Sequence, residues 1–225
     1  MTPVSQDATG GYESRITRRR WLTEDTFLLD LERPAGFRFV GGQRIQLLFE
    51  GEARDYSLIP GTAIDTLSLL IRRIPEGVLT RRLSRCPEGT WLRFYGPGGH
   101  FIFRKTPRAP VFIATGTGVA PFVAMCRQGV QGMTLLHGVR RAADLYFRDL
   151  LEARADLYVP CLSGGPAPVS ENAYPGRVTD YLCHRLPSGE YDFYLAGRRA
   201  MIADVIAIVD DRFPSSRLYT EIFYG

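Results

Sequence analysis

Near residue 105 the chain changes its pattern, and this limits the folds open to it more than any other feature. Before that point short apolar runs follow one another closely, at 15–22, 27–31, 43–49, 54–59, 67–73 and 90–95. Turn signals such as Pro34-Ala35-Gly36, Gly41-Gly42 and Pro60-Gly61 part them. Short strands at such spacing predict an antiparallel barrel or sandwich, with one short helix over 78–84. After that point strands at 110–114, 133–137, 157–161, 191–195 and 218–222 alternate with helices at 119–128, 142–153, 176–185 and 199–213. In the last helix Met201, Ile202, Val205, Ile206, Val209 and Phe213 recur at helical spacing and leave Asp204, Asp210, Asp211 and Arg212 for solvent. This alternation predicts a doubly wound α/β domain with a parallel sheet. The boundary is expected at Lys105-Thr106-Pro107, dividing 1–105 from 106–225.

With 225 residues there is room for two small domains, and 45% hydrophobic with 23% charged residues excludes collagen-like, disordered and coiled-coil chains. The first twenty residues hold no apolar run, and the uncharged stretch 109–125 is broken by Pro110, Gly116, Gly118 and Pro121. Neither a signal peptide nor a membrane span is expected, so a cytoplasmic location is. Cys86, Cys126, Cys161 and Cys183 are scattered, without the clustered spacing of zinc or iron–sulfur sites, and read as buried thiols. His100, His137 and His184 are isolated, so no metal site is expected.

The net charge is +4. Residues 1–105 hold 16 basic and 12 acidic residues, and 106–225 hold 12 of each, so the excess lies in the first part. So small an excess, with no basic stripe in the second part, argues against a nucleic-acid module. A serine hydrolase is excluded by the lack of a G-x-S-x-G elbow. The uncharged stretch 161–170, with Gly164, Gly165, Pro166 and Pro168, reads as a long surface loop of the kind that binds ligands.

Chemistry enters at Val111-Phe112-Ile113-Ala114-Thr115-Gly116-Thr117-Gly118-Val119-Ala120-Pro121, where an apolar strand passes through small residues into a helix. Small residues let backbone N–H groups approach a phosphate at the positive end of that helix. Pro121 stands where the full G-x-G-x-x-G fingerprint has its third glycine. About twenty residues on, where NAD-binding folds place an acid for the ribose 2′-OH, the chain reads Val139-Arg140-Arg141. Guanidinium groups there favour a 2′-phosphate, hence NADP(H).

Further motifs follow in a set order: Arg54-Asp55-Tyr56-Ser57, then Gly77-Val78-Leu79-Thr80, then Gly96-Pro97-Gly98-Gly99-His100-Phe101, then the Gly116-Thr117-Gly118 loop, then Tyr194-Leu195-Ala196-Gly197. With them, from about Glu13 to the end, the chain resembles the ferredoxin(flavodoxin)-NADP reductase family of flavoproteins, bacterial type. The resemblance implies an FAD-binding antiparallel β-barrel followed by an NADP-binding α/β domain. It assigns Arg54 to the FAD pyrophosphate with Gly77, Val78 and Thr80, Tyr56 to stacking on the flavin, and Ser57 to a hydrogen bond near flavin N5. Thr115, Gly116, Thr117 and Gly118 would lie under the nicotinamide nucleotide, and Arg140 and Arg177 would meet the 2′-phosphate. By the same resemblance Phe223 would cover the other flavin face, Tyr224 would lie beside the adenine, and Glu221 would relay a proton. Relatives often carry Cys where this chain has Ala196.

The implied activity is electron transfer between NADP(H) and a small one-electron carrier, ferredoxin or flavodoxin. Arg15, Arg18, Arg19, Arg20, Arg72, Arg73, Arg81, Arg82 and Arg85 would then dock an acidic carrier. The alternative within the same build is an NADH-dependent reductase component of an oxygenase system.

Overall fold

A computed structural model describes residues 10–63, 65–165 and 171–223. The predicted binding loop therefore lies partly outside the described residues, as does Tyr224. By its internal packing the chain divides into two compact units, 1–102 and 103–225.

The first unit contains β1 (Tyr12–Trp21), β2 (Thr26–Glu32), β3 (Arg44–Phe49), β4 (Glu52–Ser57), β5 (Ile59–Pro60), β6 (Thr66–Arg72), helix α1 (Val78–Leu83) and β7 (Trp91–Gly98). The strands form one antiparallel sheet in the order β4-β3-β7-β1-β2-β6-β5, curled into a nearly closed barrel with β4 beside β6. Alternation along the strands sends Ile16, Phe27, Leu29, Leu31, Ile45, Leu47 and Phe94 inward. Tyr12 stacks on Phe94 at 5.4 Å between ring centroids, and Phe37 meets both edge-on. Helix α1 buries Leu79 and Leu83 against this core, and Arg19 caps its far end by donating to the Leu83 and Cys86 carbonyls.

The second unit contains β8 (Ala109–Thr115), a 3-10 turn (Gly116–Val119), α2 (Ala120–Arg127), β9 (Met133–Val139), α3 (Arg148–Arg154), β10 (Ala155–Leu162), β11 (Tyr174–Pro175), α4 (Val178–His184), β12 (Tyr191–Arg198), α5 (Arg199–Arg212) and β13 (Arg217–Phe223). Its six strands pair in parallel in the order β11-β10-β9-β8-β12-β13, the doubly wound arrangement predicted from the alternation. On one face Val111, Ile113, Leu136, Val159 and Leu195 pack with Val178 and Leu182 of α4 and with Met201, Ile202, Val205 and Val209 of α5. On the other, Phe112 stacks on Phe122 of α2 at 4.5 Å.

One predicted helix is not continuous. Over 142–153 the chain makes a short 3-10 turn at Ala142–Asp144, passes Phe147 in the left-handed region (φ 57°) and only then enters α3. Leu145, Tyr146 and Leu151 are all buried. At 100° per residue no single helical face carries these three, so the chain turns to bury them. Arg127 lies over the Phe147 ring at 5.4 Å.

Residues 103–108 fold with the second unit. The Phe103 ring packs against Phe112 and Tyr194, the Arg104 N–H donates to Tyr194 Oη at 3.0 Å, and the Thr106 hydroxyl donates to the Asp192 carboxylate. Cys86, Cys126 and Cys161 are buried as expected, but Cys183 is only half-buried. Burial pushes the Cys126 and Cys161 thiols up to about 12, so both stay protonated and inert near neutral pH. Among the described residues no helix is long and apolar enough to cross a membrane.

Phe94 is wholly buried and makes two aromatic contacts in the barrel core. Phe94→Ala is expected to cost about 3–5 kcal/mol of unfolding free energy. Urea denaturation followed by far-UV circular dichroism checks this.

Candidate functional site

The motif residues gather in two sets, one in each unit. In the barrel, β4 is an edge strand paired to β3, with Tyr56 opposite Ile45 and Ser57 opposite Arg44. Arg54 is exposed and Tyr56 half-buried, while Asp55 forms an ion pair with Arg44 (Oδ2 to Nε, 2.9 Å). Simple alternation would send Ser57 the way of exposed Asp55, yet it is 4% exposed. Its Oγ has no hydrogen-bond partner among the described residues. Burial raises the pKa of the Tyr56 hydroxyl, with the Arg54 charge opposing this to a lesser degree, so it stays a neutral phenol. The Arg54 guanidinium donates to the Ala53 carbonyl at 2.6 Å and lies 3.5 Å from the Glu52 carboxylate.

Helix α1 packs beside β4. Gly77 precedes it, and a Cβ there would lie 2.7 Å from Thr80 Oγ1 and 3.2 Å from Ile74 Cβ, so the turn admits no side chain. Val78 is exposed, and Thr80 Oγ1 accepts the Ile74 N–H at 3.1 Å. No side chain caps the first turn of α1. One neighbourhood thus holds an exposed guanidinium, a phenol ring, an unpartnered buried hydroxyl and an uncapped helix start. These groups suit a ligand that joins an aromatic ring to phosphates. A cleft of about 380 Å³ on the barrel surface beside Trp91, Leu48 and Glu13 includes none of Arg54, Tyr56, Ser57, Gly77 or Thr80 in its lining.

In the second unit the connections run outward in opposite directions from β8 and β12, which are neighbours. Ligands of such sheets bind at the carboxyl ends of the strands where the order reverses. Thr115 ends β8, and Gly116, Thr117 and Gly118 form the 3-10 turn that follows, with no side-chain cap on it or on α2. A Cβ on Gly118 would lie 2.4 Å from the Ala196 carbonyl oxygen, so the turn and the end of β12 touch backbone to backbone. Pro121 sits in the first turn of α2, where a missing N–H costs nothing.

Arg140 and Arg177 are both exposed, with no ion pair among the described residues. Arg141 instead pairs with Asp144 at 3.1 Å. Phe223 is half-buried at the end of β13, in register with Arg198, and Glu221 is buried in register with Ala196. No group of residues able to hold a metal ion exists among the described residues.

His137, which the sequence offered only as an isolated histidine, is fully buried on β9 beside Ala114. Its Nδ1 lies 2.9 Å from Tyr158 Oη, and its Nε2 has no partner among the described residues. Burial lowers its pKa to about 4. The rows His137, Ala114, Ala196 and Glu221 cross four strands on one face, so two ionisable groups flank two alanines. Register alone reveals this, since the four residues are far apart in sequence.

Residues 14–103 match the oxidoreductase FAD-binding domain model and 112–206 the oxidoreductase NAD-binding domain model. The chain is 32% identical over 216 residues to the toluate 1,2-dioxygenase electron transfer component of Pseudomonas putida, covering 90% of this chain and 64% of that protein. It thus spans just under two thirds of that relative's length. A crystal structure of a cytochrome P450 reductase from Amycolatopsis superposes with a TM-score of 0.81 at 29% identity, over 96% of this chain and 71% of that one. A ferredoxin NADP+ reductase from Neisseria gonorrhoeae with bound FAD and NADP shares the fold with a TM-score of 0.83 at 21% identity, over 96% of this chain and 99% of that one.

Because folded His137 stays neutral down to about pH 4 while an unfolded histidine takes up a proton near 6.5, the unfolded chain binds more protons in between. The His137 contribution is complete above pH 6.5 and is lost as pH falls towards 4, reaching about 3 kcal/mol. Thermal unfolding midpoints across this range should fall for the native chain and fall less steeply for His137→Gln.

Proposed function

The chain belongs to the ferredoxin-NADP reductase family, and from this premise we propose that it acts as an FAD-dependent reductase that draws electrons from a nicotinamide nucleotide and passes them to an oxygenase-type protein. The observation that carries this reading is the similarity to a dioxygenase electron transfer component along nine tenths of the chain. The Amycolatopsis P450 reductase, at 29% identity, supports the same kind of partner. A free ferredoxin or flavodoxin, the partner expected from the sequence motifs, has less support.

The barrel residues fit FAD, because the buried Ser57 hydroxyl needs a partner that the described residues do not provide. Bound FAD would supply both two-electron and one-electron redox chemistry. Arg54 and the start of α1, with Gly77, Val78 and Thr80, would hold the pyrophosphate by charge and backbone N–H groups. Tyr56, kept a neutral phenol by burial, would pack against the flavin ring. The Ser57 hydroxyl would donate to the ring edge near N5. Glu221, buried at the end of the sheet, would hold a proton for the reaction.

In the second unit Thr115, Gly116, Thr117 and Gly118 would support the nicotinamide nucleotide. The exposed Arg140 and Arg177 favour NADP(H), since a 2′-phosphate would supply the counter-charge that no described residue gives them. Of the arginines expected to dock an acidic partner, Arg15, Arg72 and Arg82 are in ion pairs, Arg19 caps α1 and Arg73 lies over Trp21. Arg18, Arg20, Arg81 and Arg85 are exposed and remain for that role.

The function is tested by reconstituting the purified chain with FAD and mixing it with NADPH or NADH in a stopped-flow spectrometer. Bleaching of the flavin absorbance is expected, and a chain that stays colourless after reconstitution would overturn the reading. Ser57→Ala should retain FAD and slow the bleaching about tenfold, the effect of losing one hydrogen bond that strengthens during reaction. Arg140→Ala should raise the KM for NADPH about tenfold and leave that for NADH nearly unchanged; an equal change for both nucleotides would refute 2′-phosphate recognition.

A further inference from the structure

The residue at the end of β8 has an unexpected occupation. Thr115 is the N-cap of the 3-10 turn Gly116–Val119, with extended backbone (φ −127°, ψ 126°). A threonine in that position ordinarily turns its hydroxyl inward to accept a backbone N–H of the turn it begins. Here it makes no such cap. Its Oγ1 instead accepts the backbone N–H of Arg198, 83 residues further on, at 3.3 Å.

The surrounding contacts fix this arrangement. Gly197, just before Arg198, has φ 142°, and a Cβ there would lie 2.2 Å from Thr115 Oγ1 and 3.2 Å from the Thr115 nitrogen. Gly118, at the other end of the turn, meets the Ala196 carbonyl with no room for a side chain. Two glycines therefore let the turn after β8 and the end of β12 touch, and the Thr115 hydroxyl adds a polar bond between them. The contact lies where the strand order reverses, with Ala114 paired to Ala196 just behind it.

We infer that Thr115 is a positioning residue, latching the end of β12, Ala196–Arg198, to the start of the nucleotide loop through the Arg198 N–H, so that the two strand ends present one fixed surface to the nicotinamide nucleotide. This rests on the function proposed above only for the identity of the ligand. The latch itself is a property of the chain. It assigns to the Thr115 hydroxyl a role within the protein, and leaves the N–H groups of the turn without a side-chain cap. Replacing the hydroxyl by a methyl group leaves the Arg198 N–H without its acceptor while keeping the β-branched shape. Serine restores the acceptor.

The test compares the FAD-loaded full-length chain with Thr115→Val and Thr115→Ser. Amide hydrogen exchange of peptides covering 195–199 reads the latch without any nucleotide. Steady-state kinetics with NADPH and NADH reads its consequence. Thr115→Val is expected to speed exchange in that segment and to raise KM for the nucleotide about fivefold, the loss of one net hydrogen bond, with a smaller change in kcat. Thr115→Ser should return both towards the native values. Unchanged exchange at 195–199 in Thr115→Val would overturn the latch. Faster exchange with an unchanged KM would overturn its role in holding the nucleotide. If the native chain failed to react with either nucleotide, the proposed function would fall, and the exchange measurement would still decide the latch.

Discussion

Strands β8 and β12 are neighbours in a parallel sheet whose connections run outward on either side of them, and their carboxyl ends must approach closely without closing over the site. Side chains of ordinary size would prevent it. The chain solves this with Gly118 against the Ala196 carbonyl and Gly197 against Thr115, both positions where a Cβ would overlap its neighbour. Just inside them Ala114 and Ala196 keep the row thin between His137 and Glu221. The large residues lie further back, where Phe112, Phe122, Tyr194 and Tyr219 stack and fill the volume under α2 and along β13. Small residues at the rim and aromatics below give a rigid floor with an open edge.

The barrel meets a similar demand by another route. Leaving a buried hydroxyl unpaired costs about 1–3 kcal/mol, and Ser57, at the end of an edge strand, has no partner among the described residues to offset it. The aromatic core around Phe94 and the capping of α1 by Arg19 hold the surrounding frame so that β4 can carry it. Binding strength at such a site comes partly from relieving the unmet bond.

Much of this was legible in the sequence because local pattern and final packing agree. Met201, Ile202, Val205, Ile206 and Val209 of α5 are all buried or half-buried on one face, as their spacing implies. The strand runs of the first unit return as strands because alternation and turn residues are local signals. The helix expected over 142–153 broke because Leu145, Tyr146 and Leu151 are drawn to the core by neighbours remote in sequence, which overrides helical propensity. Motif order brought Arg54, Tyr56, Ser57, Gly77 and Thr80 into one neighbourhood of the barrel, but it could not show that Ser57 would turn inward. Nor could spacing show the His137–Tyr158 pair or the Thr115–Arg198 bond, both of which exist only once strands are set in register.

The segment from Phe103 to Arg108 is held by an aromatic ring, a backbone donor and a threonine hydroxyl to residues of β12. It therefore behaves as an extra strap of the sheet unit, though nothing in its polar, proline-containing sequence marks it as part of a core. A truncation that starts after it would strip cover from Tyr194 and Asp192 at the centre of the sheet. Any attempt to graft this nucleotide-binding half onto another protein has to carry the strap along and place its junction before Phe103.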